Sequence, residues 1–240
     1  MKLRALILLL GVAACTPAAS GYPEDVDAYL KTLSAVEKAK APMSLEPLFA
    51  AAGAAQDALM AIQGDGDQAW QETLSDTDYA KLRKQLRGVH LSRGHDVYAQ
   101  PDGQFLSKLA QAHGRAEDRA FFALYEKLWT AEMLPQYLNL GTGQAPCVRF
   151  GDDIVGPLYS EWSQYASAHP QAYTAFAMQT LRDLEEVVEL GTCACGAVDS
   201  VKRELSAFID QFPKSAAQPK VQLRLDELNR DDVDHFVHCR

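Results

Sequence analysis

Cysteine and histidine side chains carry most of the chemistry that this sequence could perform. Cys193 and Cys195 lie two residues apart in "TCACG". Near the end of the sequence, "HFVHC" contains His235, His238 and Cys239. Thiolates and imidazoles are preferred ligands of Zn²⁺, but this spacing matches no standard zinc finger or ribbon. No thioredoxin-like alternation of strands and helices supports a redox role for the cysteine pair. We therefore predict neither a metal site nor a cofactor.

A second group of reactive side chains consists of His90, His95 and Asp96. A histidine near a carboxylate can act as an acid and a base. However, the sequence contains no G-x-S-x-G nucleophile motif, no H-E-x-x-H motif and no phosphate-binding loop. We interpret these residues as solvated loop residues and predict no catalytic residue. If the protein were an enzyme, His95 and Asp96 would be its candidate catalytic pair.

The first fifteen residues have the order of an export signal. Lys2 and Arg4 precede an apolar run of about ten residues, which is the length of a signal-peptide core. A helix that spans a membrane needs about 20 apolar residues, so this run is too short to be one. The run ends in Val12-Ala13-Ala14-Cys15. These four residues resemble the lipobox of bacterial lipoproteins.

The resemblance implies that residues 1–14 are a cleaved signal peptide and that Cys15 becomes the acylated first residue. Several acyl chains on one residue would anchor the protein stably. Thr16, in place of Asp, implies the periplasmic face of the outer membrane. Residues 15–24 then form a lipidated tether, and residues 25–240 form one helical domain with a soft division near 88–100.

The remaining cysteines predict two disulfide bonds. With Cys15 lipidated, an even number of thiols remains in an exported protein, where disulfides persist. Cys193 and Cys195 are too close in sequence to bond each other without strain. Two arrangements stay open: Cys147 with Cys193 and Cys195 with Cys239, or Cys147 with Cys195 and Cys193 with Cys239.

Net charge limits the classes of partner. The chain has 240 residues and a formal net charge of −9, and the predicted leader holds two of its basic residues. An acidic chain is repelled by nucleic acid and by anionic lipid head groups. We therefore expect no nucleic acid partner, membrane contact only through the lipid on Cys15, and a protein partner in the periplasm.

Apolar residues recur at helical spacing along most of the chain. The pattern predicts helices from Glu24 and from Ser44, and Ser75 with Asp78 approximates a capping box for a third. Residues 89–99 break this period and predict a small hairpin or loop. The fold class is therefore all-α, with antiparallel helical hairpins packed as a bundle or a short irregular α-solenoid.

Turns between later helices share a pattern of His or Phe followed by Gly or Pro, as at His113-Gly114 and His169-Pro170. We expect Gly114 to close its helix in the left-handed conformation. The last such unit, from Ile209 to Leu228, resembles part of a tetratricopeptide-like hairpin of envelope lipoproteins. This resemblance implies helical hairpins packed side by side.

Aromatic residues recur every four positions at Phe121, Tyr125 and Trp129. Such stripes usually face a core, and a ligand groove is the lesser alternative.

The segment "NLGTGQAPCVRFGDD", residues 139–153, is rich in glycine and lacks a regular period. Segments of this length inside compact domains tend to be functional or disordered. A disulfide from Cys147 would hold this one in place. We predict that it is a contact surface formed by Gly141, Gly143, Arg149 and Phe150.

Three functions follow, in order of preference. The first is a non-enzymatic, lipid-anchored periplasmic protein that binds another protein as an assembly factor, adaptor, inhibitor or immunity protein. The second is an envelope enzyme that acts on peptidoglycan or a small molecule through His95 and Asp96. The third is a metal or redox protein centred on Cys193 and Cys195.

Overall fold

The predicted all-α class is confirmed. The structure is a computed structural model and describes residues 22–64, 68–93, 97–139, 146–190 and 193–230. Within these ranges the chain forms ten helices and two small antiparallel hairpins. The helices are α1 (Glu24–Glu37), α2 (Glu46–Met60), α3 (Trp70–Thr73), α4 (Asp76–Gln85), α5 (Gly103–His113), α6 (Ala116–Leu128), α7 (Val155–Ala168), α8 (Thr174–Leu190), α9 (Val198–Gln211) and α10 (Gln218–Leu228). The strands are β1 (Val89–Arg93), β2 (Val97–Pro101), β3 (Leu138–Asn139) and β4 (Cys147–Val148).

Consecutive helices pack against each other in pairs. The pairs are α1 with α2, α5 with α6, α7 with α8, and α9 with α10. Contacts of α6 with α7 and of α8 with α10 join the pairs, and β2 packs on α2. Across the described ranges, no helix has both the length and the apolar character needed to cross a bilayer.

Local sequence signals account for several element boundaries. The Ser75 hydroxyl accepts a hydrogen bond from the Asp78 amide at 3.1 Å, which confirms the predicted cap of α4. A capping oxygen satisfies one of the amide groups that a helix leaves unpaired in its first turn. The irregular residues predicted near 89–99 form the β1–β2 hairpin.

Gly114 ends α5 for a reason different from the one expected. Its φ is −81°, so the predicted left-handed conformation is wrong. A Cβ atom at this position would lie 2.7 Å from the Ala110 carbonyl oxygen and 3.0 Å from the Asp118 Cβ. The glycine is required because two helix ends approach each other closely here.

Aromatic rings fill the centre of the core. Phe49 of α2 contacts five other rings, those of Phe121, Phe122, Tyr125, Tyr173 and Phe176. Of the aromatic stripe, Phe121 and Tyr125 are buried, which confirms their interpretation as core residues, and Trp129 is partly buried against the core. Edge-to-face pairs of this kind add to the stability that burial itself supplies.

One buried carboxyl group joins the beginnings of three helices. Asp118 is fully buried in the first turn of α6. It accepts hydrogen bonds from the Leu45 amide before α2 at 2.9 Å and from the Arg115 amide at 2.7 Å. Its third donor is the Tyr173 hydroxyl before α8, at 2.6 Å. A buried carboxyl group is tolerated only with such partners.

Tyr173 adopts a backbone conformation that suits this contact. Its φ is +52°, in the left-handed region that bulky residues rarely occupy. The Tyr173 amide donates to the Glu46 carboxylate at 2.9 Å, and its ring stacks on Phe121 with centroids 3.7 Å apart. Burial and the Asp118 contact raise the pKa of Tyr173 far above its ordinary value, so the hydroxyl remains a donor.

Replacing this carboxyl group is expected to weaken the fold. Asp118→Ala leaves two buried donors, the Leu45 amide and the Tyr173 hydroxyl, and the part-buried Arg115 amide without an acceptor, so we expect the free energy of unfolding to fall by about 3 kcal/mol. Tyr173→Phe keeps both amide contacts and should cost about half as much. Urea unfolding measures both variants. The exposed Asp57→Ala in α2 is the control, and equal stability of the Asp118 and Asp57 variants would contradict the role of Asp118.

Candidate functional site: a groove beside the β1–β2 hairpin

A groove of about 840 Å³ lies between the β1–β2 hairpin and the segment that follows α6. Its residues come from β1, β2, the segment after α6, β3 and the turn after β4. They include His90, Ser92, Tyr98, Leu134, Leu138 and Arg149. We call this surface the hairpin groove.

The floor of the hairpin groove is the outward face of the β1–β2 hairpin. Strand residues alternate between two faces, and Val89, Leu91 and Ala99 are buried on the inner face. The register pairs Ser92 with Tyr98, so these two residues share the outer face with His90. The Tyr125 hydroxyl of α6 donates to the Pro101 carbonyl at 3.2 Å and fixes the hairpin to the aromatic core.

His90 provides a neutral imidazole in the floor. Its ring is partly buried and stacks on Tyr98, with centroids 5.7 Å apart and an angle of 17° between the planes. Burial lowers the pKa of His90, Asp102 opposes this effect, and Arg83 adds to it. At neutral pH the imidazole is therefore uncharged, so one nitrogen can donate a hydrogen bond and the other can accept one.

The segment after α6 forms one wall. The Thr130 amide donates to the Leu134 carbonyl at 2.7 Å, and the Leu134 amide donates back to the Thr130 hydroxyl at 3.2 Å. The Tyr98 hydroxyl donates to the carbonyl of Glu132. The Thr130–Leu134 contacts fix the conformation of the wall, and the Tyr98 contact joins the wall to the floor.

Arg149 stands on the other wall. Its amide donates to the Tyr137 carbonyl at 2.9 Å, next to the β3–β4 pair. The guanidinium Nε donates to the Asp152 carboxylate at 2.9 Å, and Nη1 donates to the Gln136 carbonyl at 3.3 Å. The side chain is about one-third exposed, which leaves part of the guanidinium accessible from the groove.

A disulfide bond holds this wall. Cys147 is bonded to Cys195, and their Cα atoms are 5.0 Å apart. Beside it, the Val148 amide donates to the Cys193 carbonyl at 2.6 Å, and the Cys195 amide donates to the Val148 carbonyl at 2.8 Å. Of the two predicted arrangements, the structure supports the one that joins Cys147 to Cys195.

Phe150 differs from the prediction that it belongs to a contact surface. Its side chain is only 3% exposed, and the Arg224 guanidinium lies 5.1 Å from the centre of its ring. Phe150 is therefore a core residue, whereas its neighbour Arg149 faces the groove. The other predicted site residues lie outside the described residues: Cys15, His95, Asp96, Gly141, Gly143 and Cys239.

The described side chains do not form a metal centre. No group of three or more His, Cys, Asp or Glu residues in these ranges is placed to bind a metal ion. Cys193 and Cys195 are both disulfide-bonded and are not thiolate ligands in this state. An open groove with a stacked aromatic floor and polar walls is suited to binding, because rings supply contact area and polar groups supply orientation.

Sequence reasoning located the hairpin but not the hairpin groove. The alternation of buried and outward residues in β1 and β2 was the available signal for His90, Ser92 and Tyr98. Leu134 and Leu138 carry no such signal, because only the fold brings their segment beside the hairpin.

Comparisons with family models, curated proteins and solved structures found no match to the chain.

Removing the disulfide is expected to destabilise the fold and loosen the Arg149 wall. The bond closes a loop with a sequence separation of 48 residues, which corresponds to about 4 kcal/mol in the chain-entropy model. The double variant Cys147→Ala, Cys195→Ala should therefore unfold at a lower urea concentration than the parent. Amide hydrogen exchange at Val148 should also accelerate by a larger factor than exchange at Leu33 in α1, which reports the loss of global stability. Unchanged exchange at Val148 would show that the bond does not hold this wall.

Proposed function

We propose that this protein is a lipid-anchored, non-enzymatic protein of the bacterial cell envelope that binds an extended segment of a partner protein in the hairpin groove. The observation that carries the proposal is the groove itself. It is a concave surface with an aromatic floor and fixed walls that are built from separate parts of the chain.

The shape and chemistry of the groove support binding of a polypeptide. Tyr98 and His90 offer a flat stacked surface, and Leu134 and Leu138 offer apolar contacts beside it. Aromatic side chains and arginine are enriched where protein interfaces have their strongest contacts. Arg149 adds donors for the carbonyl or carboxylate groups of a bound segment.

The fixed walls also favour binding. The disulfide, the β3–β4 pair and the Thr130–Leu134 contacts hold the groove residues before any partner arrives. A preformed surface loses less conformational entropy on association than a mobile one. A partner segment would therefore meet a surface that needs little rearrangement.

The envelope location is supported by the N-terminal sequence and by the disulfide. Val12-Ala13-Ala14-Cys15 provides the predicted acylation site. The Cys147–Cys195 bond fits a protein that folds in an oxidising compartment, because cytosolic thiols are kept reduced. The acidic net charge of −9 fits membrane contact through lipid alone.

Lipidation is tested by the mass of the protein extracted from bacterial membranes. We expect a chain that begins at Cys15 and carries the added mass of its acyl chains. Cys15→Ser should lack that mass and should take up no alkyne-labelled fatty acid, whereas Cys147→Ser should still take up the label. An unmodified chain that begins at Met1 would contradict the lipid anchor.

Filling the hairpin groove is expected to prevent partner binding. Ser92 points outward from β1, so Ser92→Trp occupies the groove and leaves the core face of the strand unchanged. We expect capture of the partner from envelope extract by the detergent-solubilised protein to fall about tenfold or more. Ser206→Trp on the exposed side of α9 is the matched control and should bind like the parent. Equal capture by the two variants would overturn the proposed binding site.

A further inference from the structure

A second groove lies where the end of α8 meets α10. It encloses about 330 Å³ between the end of α8 and the outer side of α10. Its apolar surface comes from Leu190, Leu223 and Leu228. Leu190 is 63% exposed and Leu223 is 56% exposed, the highest values among the exposed large apolar side chains of the described residues. We call this surface the α8–α10 groove.

Cys193 lies three residues beyond Leu190 and is disulfide-bonded. Cys147 and Cys195 are bonded to each other, so neither of them is its partner. Of the five cysteines in the sequence, Cys15 and Cys239 remain.

The position of Cys239 in the sequence fits this bond. Helix α10 ends at Leu228, which lines the same groove as Leu190. Cys239 lies eleven positions after Leu228, and a segment of that length spans up to about 36 Å when extended. Leu190, three residues before Cys193, lines the same groove as Leu228, so a segment of this length is sufficient to join the end of α10 to Cys193.

The composition of residues 231–240 matches the groove. The segment "DDVDHFVHCR" contains three apolar residues, Val233, Phe236 and Val237, which follow the i, i+3, i+4 spacing of one helix face. It also contains Asp231, Asp232 and Asp234.

The groove lining carries two cations, Arg224 and Lys220, and two carboxylates, Glu189 and Glu227. Arg224 lines the groove, and burial lowers its pKa to about 10, so its guanidinium is charged at neutral pH. Lys220 stands beside it and also binds the Glu189 carboxylate at 2.7 Å. Glu227 is the other acidic residue of the lining.

From these observations we infer that residues 231–240 fold back over the α8–α10 groove, cover Leu190 and Leu223 with Phe236 and Val237, and are fixed there by a Cys193–Cys239 disulfide. The occupant of this groove is thus the chain's own C-terminal segment. The inference does not depend on the function proposed for the hairpin groove.

Formation of the bond is a balanced thiol–disulfide exchange. The two thiols lose two protons and two electrons as the Sγ atoms of Cys193 and Cys239 join. A disulfide donor of the oxidising compartment accepts the electrons and protons and becomes a dithiol.

Peptide mapping without reduction tests the bond. The oxidised full chain is treated with iodoacetamide, digested with trypsin and analysed by mass spectrometry. We expect one disulfide-linked assembly of peptides 128–149, 183–202 and 231–240, and fragmentation between Cys193 and Cys195 should place Cys239 on Cys193. Alkylated peptide 231–240, or Cys239 attached to Cys195, would overturn the inference.

Photo-crosslinking tests whether residues 231–240 lie over the α8–α10 groove. The photoreactive amino acid p-benzoylphenylalanine replaces Leu223, and in a control chain it replaces Met178, which is 43% exposed on α8 outside the groove. Irradiation should link position 223, and not position 178, to residues 231–240 of the same chain. Phe236→Ser should reduce this yield several-fold with the disulfide intact, whereas His235→Ser should not.

Two other crosslinking results would contradict the inference that residues 231–240 cover the groove. A link from position 223 to a second copy or to another protein would assign the groove to a different occupant. An unchanged yield in Phe236→Ser would show that the disulfide holds the segment nearby without packing it onto the leucines.

Discussion

The arrangement of the helices depends on the carboxyl group of Asp118. It is buried at the beginning of α6 and accepts from the Leu45 amide, the Arg115 amide and the Tyr173 hydroxyl. An unpaired buried donor costs more than a paired one contributes, so each of these groups constrains where the others lie. The beginnings of α2, α6 and α8 therefore meet at one point. The aromatic core around Phe49 is packed between the helices that start there.

The hairpin groove is built outward from the same helices. The Tyr125 hydroxyl joins the aromatic core to the Pro101 carbonyl at the end of β2, and this contact sets the position of the floor. At the end of α6, the Gln136 amide donates to the Leu128 carbonyl at 2.9 Å, which turns the following segment back to form the wall. These two hydrogen bonds connect the core to the floor and the wall of the groove. The groove residues themselves remain near the surface, where a partner can reach them.

Periodicity predicted the parts of this structure that are encoded locally. The buried faces of α1 and α6, the Ser75 cap and the hairpin near residues 89–99 all follow from spacing within a few residues. Asp118 was not predictable in the same way, because an acidic residue in the first turn of a helix is usually explained by the helix dipole. Its role depends on Leu45 and Tyr173, which are distant in sequence. The hairpin groove and the burial of Phe150 also arise from contacts between distant segments, so no local pattern indicates them.

The two grooves share one short stretch of chain. Arg149 lies on a wall of the hairpin groove, and the next residue, Phe150, packs under Arg224 of the α8–α10 groove. Val148, immediately before them, exchanges backbone hydrogen bonds with Cys193 and Cys195. Because the disulfide at Cys147 fixes the beginning of this stretch, it fixes the support of both grooves at once. The "CACG" segment therefore supports two surfaces that are not in direct side-chain contact with each other.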